Sequence, residues 1–142
     1  MTNEEPLLPY GERYAWGYMT TAIAVPVVYV IVMLGRLRGV PADQVDFQVP
    51  LFIAVGASIV LNMFLAPPPR KGRDRRDERD KAISAAAERA GFGALGIGFL
   101  LPFGLVLAEV DYVWIAGAIY LVYCASAVAT SIATIVGYRR GL

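Results

Sequence analysis

The stretch Tyr112–Tyr138, YVWIAGAIYLVYCASAVATSIATIVGY, runs for 27 residues without one formal charge. At about 1.5 Å per residue such a helix reaches about 40 Å, more than the roughly 30 Å hydrocarbon core of a bilayer. Three further stretches share the property: Tyr14–Gly35, Phe47–Pro69 and Ala90–Ala108. The fold expected is therefore all-α, an integral membrane bundle of four transmembrane helices over about 14–35, 49–66, 90–108 and 112–138. Of 142 residues 57% are apolar, and the mean hydropathy is +0.54. The longest polar segment, Arg70–Arg89, is too short to build a core of its own, so the chain reads as a single domain over 1–142.

Net charge is +1, and its distribution says more than its total. Eight of the 13 basic residues fall between Arg70 and Arg89, with Arg13, Arg139 and Arg140 on the same side of the four-span topology and Arg36 and Arg38 opposite. The positive-inside rule then places both termini and the charged segment in the cytoplasm. Tyr14, Trp16 and Tyr18 mark the inner end of the first helix, and Tyr112 and Trp114 the outer start of the fourth, as amphipathic rings favour the headgroup layer. Thr2-Asn3-Glu4-Glu5 is acidic where a cleaved signal would be basic. Arg outnumbers Lys heavily, which with the many Ala, Gly and Val points to the plasma membrane of a prokaryote.

Between the spans, Pro41 is expected to open one helical turn, and Pro67-Pro68-Pro69 to stop the second helix, since three successive residues lack the amide donor. The Glu109–Asp111 link is so short that the third and fourth helices form an antiparallel hairpin. Pro26 and Pro102 each remove a hydrogen bond within a span.

Apolar surface cannot drive helix association inside lipid, so small residues and hydrogen bonds carry it. Three stripes at i, i+4 spacing suit that role: Ala82, Ala86, Ala90, Ala94 and Gly98; Ala125, Ala129, Ala133 and Gly137, beside Ser126, Thr130 and Thr134; and Ala54, Ser58, Asn62 and Ala66. Ala94, Gly98, Ala129, Ala133 and Gly137 are the expected packing contacts of the hairpin. Asn62 is the most polar side chain well inside a span. It reads as an interhelical hydrogen bond, to Thr130 or near Ser58, in preference to a substrate contact.

The charged segment mixes its signs. Arg76 with Asp80 and Asp77 with Lys81 have ion-pair spacing on a helix, and Asp74 or Asp77 is placed to cap it. The third helix is expected to start near Asp74–Asp77 and project about three turns inward. The stretch Asp77-Glu78-Arg79-Asp80-Lys81-Ala82-Ile83 resembles the Asp-Glu-Arg-x-x-x-Ile signature of an uncharacterised family of small bacterial and archaeal membrane proteins. In that family two helices precede the motif and two follow it, as here. No activity is known for it. Members occur beside small helix-turn-helix regulators, so the resemblance implies a membrane partner for a transcription factor.

No span contains a carboxylate, histidine or lysine to act as acid, base or nucleophile, and Glu12 is placed ahead of the first helix. Cys124 is the sole cysteine and histidine is absent, so an internal disulfide and Cys/His zinc sites are excluded. Cys124 itself reads as packing. The expectation is thus no catalytic residue, no metal and no cofactor. Interleaved acids in the charged segment argue against nucleic acid. The function expected is that of an interaction or regulatory partner in the bilayer, in which Asp77, Glu78, Arg79 and Ile83 contact a cytosolic protein or the inner ends of neighbouring helices. The alternative is a small transporter or channel for an uncharged or lipidic solute. Any unused small-residue stripe is available to a homo-oligomer.

Overall fold

A computed structural model describes residues 9–66 and 78–140. Five helices follow one another: α1 (Tyr10–Leu37), α2 (Gln48–Leu65), α3 (Glu78–Gly98), α4 (Leu100–Leu107) and α5 (Tyr112–Arg140). Among the described residues there is no strand. Four helical units are long and apolar enough to cross a membrane: α1, α2, α3 with α4, and α5. The expected starts of the third helix near Asp74–Asp77, the caps there and the stop at Pro67–Pro69 lie outside the described residues.

The third span is two helices because of Pro102. Its ring removes the donor that the Gly98 carbonyl would receive and crowds that carbonyl, and the helix is interrupted by a turn at Phe99. The ladder resumes at once, with Phe103 N–H donating to Phe99 O at 3.1 Å. Pro26 makes the same deletion, yet α1 runs through it. The α4–α5 link is tight: Glu109 N–H donates to Val106 O (3.0 Å) and Val110 N–H to Leu105 O (3.3 Å), a Schellman end. Glu109 supplies the left-handed residue with φ 54°. Between α1 and α2 the expected helical turn is one hydrogen-bonded turn, Gln44 N–H to Pro41 O at 3.0 Å. Asp46 serves both sides of that loop, accepting from Val49 N–H (3.4 Å) and facing Arg36 Nη1 at 3.8 Å.

The helices stack in the order α2, α1, α5, then α3 with α4. Both α1 and α5 are central; α2 is held by α1, and α3 and α4 by α5. A buried cluster, Val25, Tyr29, Met33, Ala54, Val113 and Tyr120 with Val45, sits where α1, α2 and α5 meet toward the interhelix loops. Cys124 is half-buried against it. Flanking helices remain largely uncovered: Phe52 and Phe64 of α2 are 83% and 77% exposed, as a lipid-facing surface would be.

Backbones approach closely at glycines. A Cβ on Gly17 would overlap the Leu65 carbonyl oxygen and lie 2.6 Å from its carbon, so α1 meets the end of α2 there. A Cβ on Gly98 would lie 2.6 Å from Val122 Cγ1, and one on Gly137 2.9 Å from Ile83 Cγ2. One on Gly91 would overlap Thr130 Oγ1 and come 3.3 Å from the Ser126 carbonyl. These pairs run in opposite directions along the chain, so α3 and α5 are antiparallel.

The small-residue stripe of the third span packs only in part. Ala82, Ala86 and Ala90 are exposed, Ala94 and Gly98 half-buried, and the face turned to α5 begins instead at Ile83, Ala87 and Gly91. The reason is geometric. At about 3.6 residues per turn a step of four overshoots by about 40°, so five such residues sweep about 160° of the helix and cannot all face one neighbour. The same drift leaves Ala125 exposed, Ala129 and Ala133 half-buried and Gly137 buried.

Candidate functional site

Polar chemistry concentrates at the end of the stack where α1 and α3 begin and α5 stops. The last turn of α5 is gripped from both sides. From α1, Glu12 accepts a hydrogen bond from Arg139 Nε at 3.0 Å, and the Arg139 guanidinium lies 5.8 Å from the Trp16 ring centroid. Glu12 is 4% exposed. Gly11 leaves room for Tyr138, whose Cε2 would be 2.8 Å from a Cβ there. From α3, Arg79 Nη2 donates to the Tyr138 carbonyl at 3.0 Å, with its guanidinium 5.9 Å from the Tyr138 ring centroid. The Tyr138 hydroxyl donates to Asp80 Oδ1. Ile83, 2% exposed, fills the space beside Gly137. Two guanidinium groups thus sit where the helix dipole of α5 is negative and its last carbonyls lack helical partners.

This arrangement corrects one expectation. Glu12 does not precede the first helix; it lies in the first turn of α1, is buried, and binds the far end of the chain. Pro9, at the helix start, was the available signal, since proline commonly opens a helix.

The motif residues divide. Arg79 and Ile83 are spent on α5, whereas Glu78 is 94% exposed and reaches only Lys81, at 3.4 Å. Asp77 lies outside the described residues, as does Arg76, so the expected Arg76–Asp80 and Asp77–Lys81 pairs do too; Asp80 is engaged by Tyr138 and Lys81 by Glu78. Asn62 makes no interhelical bond through its Oδ1, which is buried and accepts nothing. Thr130 is turned to α3 and donates to Ser126 O in its own helix (3.0 Å). One hydroxyl of that stripe does cross: Ser126 Oγ donates to Gly91 O at 2.8 Å.

Beside the clasp a cleft of about 640 Å³ opens between α1, α3 and α5. One wall is a tyrosine ladder on α1, with Tyr10 and Tyr14 centroids 5.9 Å apart and Tyr14 and Tyr18 stacked at 5.8 Å. Across from it stand Ser84 and Glu88 of α3, and Thr130 and Thr134 of α5 form the floor. Deeper in the stack Tyr29 and Tyr120 meet edge to face at 5.1 Å, and the buried Tyr29 hydroxyl has no hydrogen-bond partner among the described residues. Ser131 and Thr134 donate to carbonyls four residues earlier, at 2.9 Å each. Among the described residues no group of three or more His, Cys, Asp and Glu is placed to hold a metal ion.

No protein-family model, no curated protein and no solved structure matches the chain.

Proposed function

We propose that this is a non-catalytic, multi-pass protein of a prokaryotic plasma membrane that works as an interaction or regulatory partner through its cytoplasmic charged segment. Orientation follows from the charge asymmetry, since eleven of 13 basic residues flank the spans on one side of the expected four-span topology. The observation that carries the reading is the two-sidedness of α3 at that end. One face is committed to α5 through Arg79, Asp80, Ile83, Ala87 and Gly91, while Glu78, Lys81, Ala82 and Ala86 stand exposed away from it. Alanines flanked by opposite charges let a second helix approach closely and fix its register. A protein pressing on that face acts on a helix already tied to α5, so the contact reaches the centre of the stack. The family that Asp77–Ile83 resembles supplies the class of partner, a small helix-turn-helix regulator.

The test is photocrosslinking in native membranes from a reactive residue at Ala82 or Ala86, with Phe103 as the lipid-facing control. A protein adduct from the first two positions, lost on Glu78→Lys with Lys81→Glu, is expected. Adducts with lipid alone at all three positions refute the docking reading. A second reading, a small transporter or channel for a lipidic solute, draws support from the cleft.

A further inference from the structure

The cleft between α1, α3 and α5 is bounded by elements that do not themselves close it. Both α1 and α3 pack on α5, but no comparable packing joins α1 to α3, so the cleft opens sideways between them. Tyr10 and Glu88 lie just beyond the uncharged stretches of their helices, and Tyr14 and Tyr18 in the first turns of one, at the level of lipid headgroups.

Among the described lining residues Glu88 carries the one formal charge; it is exposed to the cleft and pairs with no described residue. Opposite stands the ladder of Tyr10, Tyr14 and Tyr18. Tyrosine faces attract cations, and the Tyr10 ring already has one, the Arg13 guanidinium, 5.9 Å from its centroid. Thr130 and Thr134 place hydroxyl oxygens at the floor while spending their protons on backbone carbonyls, so the floor presents acceptors and no strong donor. An acid, ring faces and acceptors together disfavour an anionic headgroup and suit an ammonium. The sideways opening suits an alkyl chain that stays in the bilayer.

We propose that this cleft binds a membrane-borne amphiphile with an ammonium headgroup, Glu88 supplying the counter-charge and Tyr14 and Tyr18 the ring faces. The site is separate from the docking face of α3 and stands or falls independently of it, because Glu78 and Lys81 take no part.

The test uses the full chain in neutral maltoside micelles, titrated with radiolabelled dodecyltrimethylammonium. Saturable binding at one site per chain is expected. Glu88→Gln should weaken it about tenfold or more, and Tyr14→Leu about three- to thirtyfold, the span of a cation–π contact. Tyr14→Phe should retain it, and Glu78→Gln should leave it unchanged. Tetramethylammonium, which has no tail, should compete poorly, and so should dodecanol, which has no charge. Elution of each variant at the wild-type volume separates lost binding from lost folding. Unsaturable partitioning, equal affinity of the Glu88→Gln variant, or competition by dodecanol as strong as by the unlabelled ammonium overturns the proposal, while failure of the Ala82 and Ala86 crosslinks leaves it untouched.

Discussion

Gly98 and Val122 offer a direct test of how α3 and α5 meet. A methyl group at position 98 would lie 2.6 Å from Val122 Cγ1 and 3.5 Å from Cγ2, but 3.6 Å from Val122 Cβ. The first distance is a hard overlap and the last an ordinary contact. Gly98→Ala alone should therefore cost about 1–3 kcal/mol, the usual range for overpacking. Val122→Ala alone removes two methyl groups of a buried side chain and should cost about 1–2 kcal/mol in lost packing. If the two acted independently, the double variant would lose about 2–5 kcal/mol. The geometry predicts otherwise, because removing both Cγ atoms removes what the new methyl strikes. The double variant should sit near Val122→Ala, with a favourable coupling of about 1–3 kcal/mol. The assay is reversible unfolding of the protein in maltoside micelles by added dodecyl sulfate, followed by tryptophan fluorescence. Gly93→Ala, where a Cβ meets nothing within 4 Å, is the matched control and should not destabilise. Strictly additive losses in the cycle would refute the close antiparallel approach of α3 and α5 at this depth.

Other outcomes follow from the same geometry. Arg139→Ala strands the buried Glu12 carboxylate and should cost about 1–3 kcal/mol, whereas adding Glu12→Gln to it should recover part of the loss in the same unfolding assay. Glu109→Gly relieves a left-handed residue at the α4–α5 turn and should stabilise by about 1 kcal/mol, read as a higher unfolding midpoint. Tyr29→Phe keeps the edge-to-face contact with Tyr120 and deletes a hydroxyl that bonds to no described protein group. It should change stability by less than about 1 kcal/mol, and a larger loss would reveal a hydrogen bond that the geometry does not contain.

Much of the architecture was readable residue by residue. Four uncharged stretches near the length of a bilayer crossing correspond to α1, α2, the α3–α4 pair and α5, because span length depends on local composition alone. The missing donor at Pro102 is equally local, but Pro26 lacks the same donor and α1 runs through it, so the break itself was not readable there. The site was less legible. Ala82, Ala86 and Ala90 looked like packing residues and are exposed, since a one-dimensional stripe does not say which side of the helix finds a neighbour. Gly17 and Gly91 mark close approaches that no spacing rule singled out, because each depends on a partner far away in the chain.

The hydropathy of successive stretches decided that the chain is helical and how many times it can cross a membrane, through the unfavourable transfer of charge and the fixed rise of a helix. Tertiary structure alone decided that Glu12 meets Arg139 across 127 positions, that Arg79 and Asp80 hold Tyr138, and that α1 and α3 leave a cleft between them. Those pairings depend on which helix lies beside which, and inside lipid that order is chosen by shape and a few polar contacts, neither of which leaves a periodic trace in the sequence.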